Sequence, residues 1–343
     1  MANFKTIWKM VAVVCVVLWP PLAGADDKTW KMHTEAGEEA YRQGNLTEAE
    51  KEFREARKET DALAFPDQRQ AVSLENLARL YCLQGKYGQA EGLYWQVLTI
   101  REKILGATHP DLAAAFNNLA LIYFAEQHYH EAERFYLRAL TIWEKTQGAE
   151  TCAFATGLSN LASLYNAMGK YDKPESLHKR ALGLMEKLLG AEHPDVATCM
   201  NNLGDFYCGR GRYSEAEPLI RQALAIREKS LGPEHRKVAT SLNNLAVLYT
   251  IQGQYTAAEP LFLRALAIGK KTAVADPVEM AKILRNYGIL LRKTKRKSEA
   301  AKMMAQADDL LKNNLPGKLA QHTVHARSLM STRDSSVFDR AWR

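Results

Sequence analysis

The sequence predicts an all-α solenoid of stacked helix pairs, and three observations support this fold class. An Asn recurs every 42 residues through six successive units. Apolar residues within each unit recur at spacings of three and four, which is the helical period. Glycines interrupt this pattern at regular intervals, where helices are expected to end. A fixed period of about 20 to 50 residues is typical of a solenoid with a long concave face. The repeated residues are Asn76, Asn118, Asn160, Asn202, Asn244 and Asn286.

Each unit is expected to contain two helices, as residues 110–147 illustrate. The first helix starts with Pro110, which fits the first helical position because its missing N–H would be unpaired there. Asp111 follows and complements the positive end of the helix dipole. The second helix ends before Gly148, since glycine takes the left-handed backbone conformation at low cost. The apolar positions of the two segments include Leu112, Phe116, Leu119, Ala132, Tyr136 and Ala139.

The turn inside each unit carries a second position where a left-handed residue is expected. Glycine occupies it in four units, while Gln127 and Lys295 replace it in two others, at about 1 kcal/mol each. A tyrosine two residues later is expected to begin the second helix. The glycines are Gly85, Gly169, Gly211 and Gly253, and the tyrosines are Tyr87, Tyr129, Tyr171, Tyr213 and Tyr255.

Counting units gives seven helix pairs within a repeat array at residues 26–313. The first and last units depart from the pattern, as expected of terminal repeats that face water on one side. Residues 314–343 contain Pro-Gly and scattered charge and are interpreted as a basic, mobile tail. The expected bounds of the pairs are about 29–60, 68–105, 110–147, 152–189, 194–231, 236–271 and 277–313.

Residues 1–25 are predicted to be a secretory signal peptide. Two lysines precede an apolar stretch, and Ala-Gly-Ala at 23–25 forms a cleavage site. The apolar stretch at 10–22 has 13 residues, whereas about 20 are needed to span a bilayer. We therefore expect an exported protein, periplasmic or secreted.

The four cysteines after this segment are predicted to be unpaired. Cys199 and Cys208 lie nine residues apart on one helix, which corresponds to about 13 Å, whereas a disulfide requires Cα atoms within about 7 Å. Cys82 and Cys208 occupy the same position of the repeat but lie three repeats apart. Cys152 and Cys199 belong to neighbouring repeats but occupy different positions along their helices. No CxxC motif or Cys/His cluster has metal-ligand spacing, so no metal and no cofactor is expected.

The repeat resembles the tetratricopeptide repeat of the kinesin-light-chain type. The matching motifs are Asn-Asn-Leu-Ala-x-Leu-Tyr, Gly-x-Tyr-x-x-Ala-Glu and Ala-Leu-x-Ile-x-Glu-Lys-x-Leu-Gly-x-x-His-Pro. They are fullest in 201–235 and 243–268 and cover residues 68–271. The resemblance implies a right-handed superhelix whose first helices line a groove for extended peptides, with the anchor Asn hydrogen-bonding the peptide backbone. With the secretion signal, it implies a bacterial, exported member rather than a cytoplasmic motor adaptor.

Helical spacing gives an independent reason to place function on the first helices. In one of them, Thr198, Asn202 and Asp205 fall on a polar stripe, while Leu203 and Phe206 fall on an apolar stripe. When the apolar stripe packs inward, the polar stripe is open, and an amide offers both the donor and the acceptor that a peptide backbone requires. The candidate peptide-binding residues are Asn76, Asn118, Asn160, Asn202, Asn244, Asp205, Ser163, Thr198 and Thr240.

A second interpretation of the anchor Asn residues is structural. A ladder of amides could bridge adjacent repeats and satisfy helix carbonyls, and the two roles could hold in different repeats. The sequence leaves both interpretations open.

The strongest charge feature is a basic run at 292–297. Residues 278–343 hold 14 basic and 6 acidic residues, whereas residues 26–277 hold 30 and 33. The run is interpreted either as a solvated cap of the last repeat or as a docking site for an acidic protein segment or anionic lipid. Nucleic acid is not expected as a partner, because no aromatic stacking platform adjoins the run. The basic residues are Arg292, Lys293, Lys295, Arg296 and Lys297.

No catalytic site is expected. The sequence contains no GxSxG, P-loop or HExxH motif. His109, His193 and His235 recur with the repeat and are interpreted as turn and capping residues. The predicted function is a non-enzymatic scaffold that binds an extended peptide or protein segment in the concave groove. The alternative is an envelope assembly factor that docks a membrane-associated complex through its convex face or basic end.

Overall fold

The computed structural model describes residues 27–43, 45–61, 63, 65–170, 173–272 and 277–314. These residues form fourteen α-helices and no strand. The helices are α1 (Asp27–Arg42), α2 (Leu46–Asp61), α3 (Gln68–Leu83), α4 (Tyr87–Leu105), α5 (Pro110–Ala125), α6 (Tyr129–Gln147), α7 (Cys152–Ala167), α8 (Pro174–Leu189), α9 (Pro194–Gly209), α10 (Tyr213–Leu231), α11 (Arg236–Ile251), α12 (Tyr255–Thr272), α13 (Pro277–Lys293) and α14 (Lys297–Asn314).

The helices are arranged as seven successive pairs. Each odd-numbered helix packs most extensively on the even-numbered helix that follows it, and each pair packs on the next. The predicted all-α solenoid is therefore confirmed. The bounds of every pair agree with the predicted bounds to within two residues, since Pro, Gly and the apolar period mark the helix ends.

The first helices of successive pairs lie on the inner side of the stack. From α5 to α13, each odd-numbered helix also contacts the next odd-numbered helix, whereas successive even-numbered helices have no comparable contact. Elements on the inner side of a curved stack lie closer together than those on the outer side. The odd-numbered helices from α5 to α13 thus line a concave face.

Histidine side chains cap three of the first helices. The Nδ1 atoms of His109, His193 and His235 accept hydrogen bonds from backbone N–H groups two residues later, at 3.2, 3.2 and 3.1 Å. Each bond satisfies one of the N–H groups that the start of a helix leaves unpaired. The prediction that these histidines are capping residues is confirmed.

The turns inside the pairs contain the expected left-handed residues. Gln127 and Lys295 have φ of 63° and 65°, and the four turn glycines have positive φ as well. A tyrosine begins the second helix in four pairs, but α8 begins at Pro174, a residue that suits the first helical position. Four of the five tyrosines predicted to begin the second helix of a pair therefore do so. Tyr171 itself lies outside the described residues.

Small residues allow the two helices of a pair to approach closely. One case is Gly204 of α9, where an added Cβ would lie 2.6 Å from Cγ1 of Ile220 on α10. Alanine occupies one register near the start of the second helices and is fully buried there. These alanines are Ala90, Ala132, Ala216 and Ala258.

The four described cysteines are unpaired. Cys199 and Cys208 are buried, and Cys82 and Cys152 are partly buried. Burial raises the pKa of Cys82 and Cys208 to about 12 and that of Cys199 to about 11. These three thiols are therefore protonated and poorly nucleophilic at neutral pH.

Two predicted segments, the signal peptide at 1–25 and all but the first residue of the tail at 314–343, lie outside the described residues. Both stay predictions. Among the described helices, none combines the length and the apolar character needed to cross a bilayer.

Candidate functional site

A ladder of side-chain amides crosses the concave face from pair to pair. In four repeats the anchor Asn donates through Nδ2 to a side chain on the preceding first helix. The bridging of adjacent repeats by amides, one of the two interpretations of the sequence, is therefore present, but the acceptors are side-chain atoms and not the helix carbonyls of that interpretation. The donor and acceptor residues are Asn160 and Asn117 at 3.1 Å, Asn202 and Ser159 at 2.9 Å, Asn244 and Asp205 at 3.1 Å, and Asn286 and Asn243 at 3.0 Å.

Two anchor residues stand outside this ladder. Asn76 is buried, its Oδ1 accepts a hydrogen bond from Arg79 at 3.4 Å, and its Nδ2 is buried without a hydrogen-bond partner. Asn118 is half-buried and makes no side-chain hydrogen bond within the described part of the chain. The two N-terminal anchors therefore differ from the four that follow.

A cavity of about 560 Å³ opens along the concave face of α7, α9, α11 and α13. It brings together four of the predicted peptide-binding residues. Its lining also contains residues that were not among the predicted site residues, and five of these carry amide, imidazole or ammonium groups. The predicted ones are Ser163, Asn202, Asp205 and Asn244, and the additional ones are Asn166, His178, Asn243, Lys282 and Asn286.

Repeat register would have identified two of the additional residues. Asn286 is the sixth anchor Asn, and Lys282 occupies the register of Thr198 and Thr240. His178 has no such signal, because it lies on a second helix, and the second helices form the outer layer of the stack.

The other predicted residues do not line this cavity. Thr198 donates to the carbonyl of Pro194 at 3.2 Å and accepts from Arg227 at 3.1 Å, so its hydroxyl is used within the fold. Thr240 lines a separate cavity of about 230 Å³ next to Gly269. The residues that lie outside the larger cavity are Asn76, Asn118, Asn160, Thr198 and Thr240.

Asp205 is the carboxylate of the cavity lining. Its Oδ2 accepts the hydrogen bond from Asn244. Asp205 is exposed on the concave face, where the neighbouring groove walls reduce the hydration of its carboxyl and so raise its pKa to about 6. Lys282 opposes the shift with its positive charge and is itself 3.8 Å from Glu279.

His178 is a buried histidine in the same cavity lining. Only 2% of its surface is exposed, its ring packs on Phe206 with centroids 6.0 Å apart, and its Nδ1 is buried without a hydrogen-bond partner. Burial lowers the pKa of His178 to about 4. The imidazole is therefore neutral at neutral pH.

One residue of the basic run belongs to a contact between repeats. Arg296 donates to Glu259 at 2.5 Å and to Glu299 at 2.7 Å. Arg212 makes the equivalent bond to Glu175 at 2.7 Å. Arg296 thus has a structural role, whereas the other four basic residues of the run are exposed.

Among the described residues, no three His, Cys, Asp or Glu side chains lie close enough together to hold a metal ion. The arrangement in the groove is that of a binding surface, with hydrogen-bonding side chains on four neighbouring helices.

The family model described as tetratricopeptide repeat matches residues 32–103, 69–145, 154–229, 200–271 and 237–313. The chain belongs to the tetratricopeptide-repeat family. The matches begin in α1 and end in α14, and every helix pair of this tetratricopeptide-repeat protein overlaps at least one of them. The comparison with curated proteins gives no match.

Two solved structures are similar to this tetratricopeptide-repeat protein in sequence. BtubC (BKLC) from P. vanneervenii is 25% identical over 71% of this chain and 90% of its own, with a TM-score of 0.49. A putative kinesin light chain from Podosopora anserina with nearly identical TPR-like repeats is 30% identical over 61% of this chain and 99% of its own, with a TM-score of 0.47.

Two further structures share the fold over a longer part of the chain. A Rap protein complexed with Competence and Sporulation Factor has a TM-score of 0.67 at 15% identity, over 92% of this chain and 81% of its own. NprR in complex with its cognate peptide NprX has a TM-score of 0.65 at 13% identity, over 98% of this chain and 91% of its own. At such identities the likeness concerns the fold of the tetratricopeptide-repeat array.

Proposed function

We propose that this tetratricopeptide-repeat protein is a non-enzymatic scaffold that binds an extended peptide segment along its concave groove. The observation that carries the proposal is the cavity, which crosses four consecutive first helices and is lined by amides and a hydroxyl. Packed helices lie about 8–10 Å apart, so four of them span about 25–30 Å. An extended segment of about eight residues covers this length.

The amide ladder favours binding because it holds the side chains in place before a ligand arrives. Asn202 and Asn286 use Nδ2 within the ladder, so Oδ1 is the atom that each presents to a peptide N–H. An amide already fixed in one rotamer loses little conformational entropy on binding. The ladder and the peptide contact are thus two uses of the same side chain.

The fold neighbours support this proposal. The Rap and NprR structures are complexes with a factor and with a cognate peptide, respectively. They show that arrays of this fold bind such ligands, while the choice of groove residues in the present chain rests on its own cavity.

The proposal is tested with the full chain and a positional library of N-acetylated, C-amidated octapeptides, using fluorescence anisotropy. Asn202→Ala and Asn286→Ala are each expected to weaken peptide binding about two- to tenfold, because each removes a hydrogen bond worth about 0.5–1.5 kcal/mol. Circular dichroism checks that helical content is kept.

Asn118→Ala is the matched control, since Asn118 occupies the same register but lies outside the cavity. It is expected to leave the affinity unchanged. Wild-type affinity in Asn202→Ala and Asn286→Ala, or no binding by any library peptide, would show that the groove is not the binding site.

A second candidate function is supported by the exposed cations at the C-terminal end of the array, Arg292, Lys293, Lys295 and Lys297. They form a positive surface beside α14, where an acidic protein segment or a membrane-associated complex would dock. Export, expected from residues 1–25, would place either partner in the cell envelope. N-terminal sequencing of the mature protein tests export, with Asp26 as the expected first residue.

A further inference from the structure

One second helix lacks the large side chain that other repeats place at the same position. In five of the other second helices this position holds a long or bulky residue that is only 4% exposed, whereas α12 has Gly269. The cavity of about 230 Å³ lies at this glycine, between α11 and α13. The residues that occupy the position elsewhere are Arg101, Trp143, Met185, Arg227 and Leu311.

The floor of this cavity is apolar. It is formed by Ala239, Met280 and Ile283, which are at most 6% exposed, and by Gly269. Apolar atoms that border a cavity lack dispersion contacts on that side, so a ligand group of matching character gains them. The cavity is smaller than the range of about 300 to 1,000 Å³ that is typical of pockets for drug-sized ligands. Its size therefore suits a single side chain.

The rim of the cavity is polar, and its charged groups have partners within the chain. The rim residues are only partly buried. Nζ of Lys237 lies 3.5 Å from Asp195, and the carboxylate of Glu279 lies 3.8 Å from Lys282. Arg236, the third charged residue of the rim, has an interaction partner as well. The rim therefore does not require a charged ligand group.

A basic ligand group is disfavoured in this cavity. Two cations and one carboxylate border it, so the rim repels a further cation. Arg227, which occupies the corresponding position one repeat earlier, donates to the hydroxyl of Ser241 at 2.8 Å. The counterpart of Ser241 in the present repeat is Ile283, which offers no acceptor. A thioether or aliphatic group suits the cavity better, and such groups occupy the position in the repeats with Met185 and Leu311.

The cavity adjoins the larger cavity of the concave face. Thr240 of the smaller cavity and Asn244 of the larger one lie one turn apart on α11, so they share a face of that helix. On α13, Glu279 of the smaller cavity lies 3.8 Å from Lys282 of the larger one. A segment bound in the larger cavity can therefore direct one side chain into the smaller one.

Resting on the peptide-binding function above, we propose that the smaller cavity is a pocket for one aliphatic side chain of the bound segment, leucine or methionine. Met280 closes one side of this pocket, since an added Cβ at Gly269 would lie 2.7 Å from its Sδ. The thioether chain is flexible, so Met280 adjusts to the shape of the entering group. The pocket selects the residue at one position of the segment, while the amides of the larger cavity hold the peptide backbone.

The experiment uses the full chain and the blocked octapeptide library, with one position fixed in turn as leucine, methionine, alanine, phenylalanine, lysine or glutamate. Fluorescence anisotropy gives the affinity of each set. At one position, leucine and methionine are expected to bind about tenfold more tightly than alanine, because the pocket removes their apolar surface from water. Lysine and glutamate are expected to bind no more tightly than alanine at that position.

Two substitutions change the size of the pocket in opposite directions. Gly269→Met introduces the residue that occupies this position in α8, and it is expected to abolish the preference for leucine because it fills the cavity. Met280→Ala enlarges the pocket and is expected to shift the preference from leucine to phenylalanine. Gly183→Met is the matched control, because Gly183 is an exposed helical glycine outside both cavities. Circular dichroism checks that each variant keeps its helical content.

The outcomes separate this pocket from the general groove function. If no position prefers leucine or methionine to alanine while Asn202→Ala weakens binding, the pocket is refuted and the peptide-binding function stands. If the preference survives unchanged in both Gly269→Met and Met280→Ala, the aliphatic residue binds elsewhere. A preference for lysine or glutamate that Gly269→Met removes would show that the rim selects the ligand, which contradicts an apolar pocket. If no library peptide binds, both proposals fail together.

Discussion

At the scale of single residues, His178 shows how one substitution in a repeat changes the chemistry of the groove. Its register is apolar or aromatic in the neighbouring second helices, and those side chains fill the space between the layers. An imidazole fills part of the same space and brings two nitrogens into it. Burial without a partner lowers its pKa to about 4, so the fold stabilises the neutral form.

This lowered pKa makes stability depend on pH. In the unfolded chain the histidine binds a proton below about pH 6.5, whereas in the fold it does so only near pH 4. Stability is therefore lost as the pH falls from 6.5 towards 4. We expect wild type to lose about 2 kcal/mol more than His178→Phe between pH 7 and pH 5, measured by urea unfolding followed by circular dichroism.

An exposed histidine provides the comparison for this measurement. His130→Gln, at an exposed position of α6, is expected to keep the pH dependence of wild type. Equal pH dependence in wild type and His178→Phe would contradict the assignment of a buried, neutral imidazole.

At the scale of helices, two glycines on adjacent pairs should respond to the same substitution in opposite directions. Gly204→Ala places a Cβ 2.6 Å from Ile220 Cγ1, and we expect it to destabilise the protein by about 1–3 kcal/mol. Gly183 lies within α8 with nothing within 4 Å of an added Cβ. Gly183→Ala should stabilise by about 0.5–1 kcal/mol, since alanine is the better helix former. Urea midpoints measure both effects, and a Gly204→Ala variant as stable as wild type would exclude tight packing of α9 on α10.

Hydrogen bonds to one carboxylate join neighbouring helix pairs, because a tyrosine and an arginine of the next repeat both donate to it. Glu175 of α8 accepts from the hydroxyl of Tyr207 at 3.1 Å and from Arg212 at 2.7 Å, and Lys179 lies 2.8 Å from it. Arg212 is the main cause that lowers the pKa of Glu175 to about 2. Glu259 has the same arrangement with Tyr287 and Arg296. The hydroxyl of Tyr287 donates to Glu259 at 2.8 Å, and Arg296 donates to it at 2.5 Å.

We expect Glu175→Gln to destabilise the array by about 1 kcal/mol at pH 7, a modest value because the carboxylate is about 30% exposed. The ionised form is favoured in the fold, so its contribution is present above the unfolded pKa of about 4.5 and is lost as the pH falls towards 2. The difference from wild type should therefore shrink below pH 4.5. Glu192→Gln breaks an exposed pair with Lys229 and should have little effect at any pH.

At the scale of the whole molecule, the groove and the basic end are separate surfaces. The cavity lies along α7 to α13, while the four exposed cations lie at the turn between α13 and α14. Reversing the charge of these four residues to glutamate is expected to leave octapeptide affinity within twofold of wild type. Binding to vesicles containing anionic lipid should be lost if this end docks a membrane surface. A large loss of peptide affinity in this variant would contradict the separation.

The whole architecture could be predicted from the sequence, whereas the site could be predicted only in part. The 42-residue period and the capping residues give all seven helix pairs, because these signals are local. The partners of Asn160 and Asn202 depend on how far one helix is displaced against the next, which no local signal encodes. His178 was missed for the same reason, since its access to the groove depends on the gap between α7 and α9.

The hydrogen bonds between units join residues at most 43 positions apart. Nothing in the described bonding network ties one end of the array to the other. An in-frame insertion of 42 codons would therefore add one helix pair and lengthen the groove by one first helix. The contacts of the existing pairs away from the insertion would stay unchanged. Under the proposed function, the length of the bound segment is set by the number of repeats, so duplication of a repeat would change the ligand before any side chain is altered.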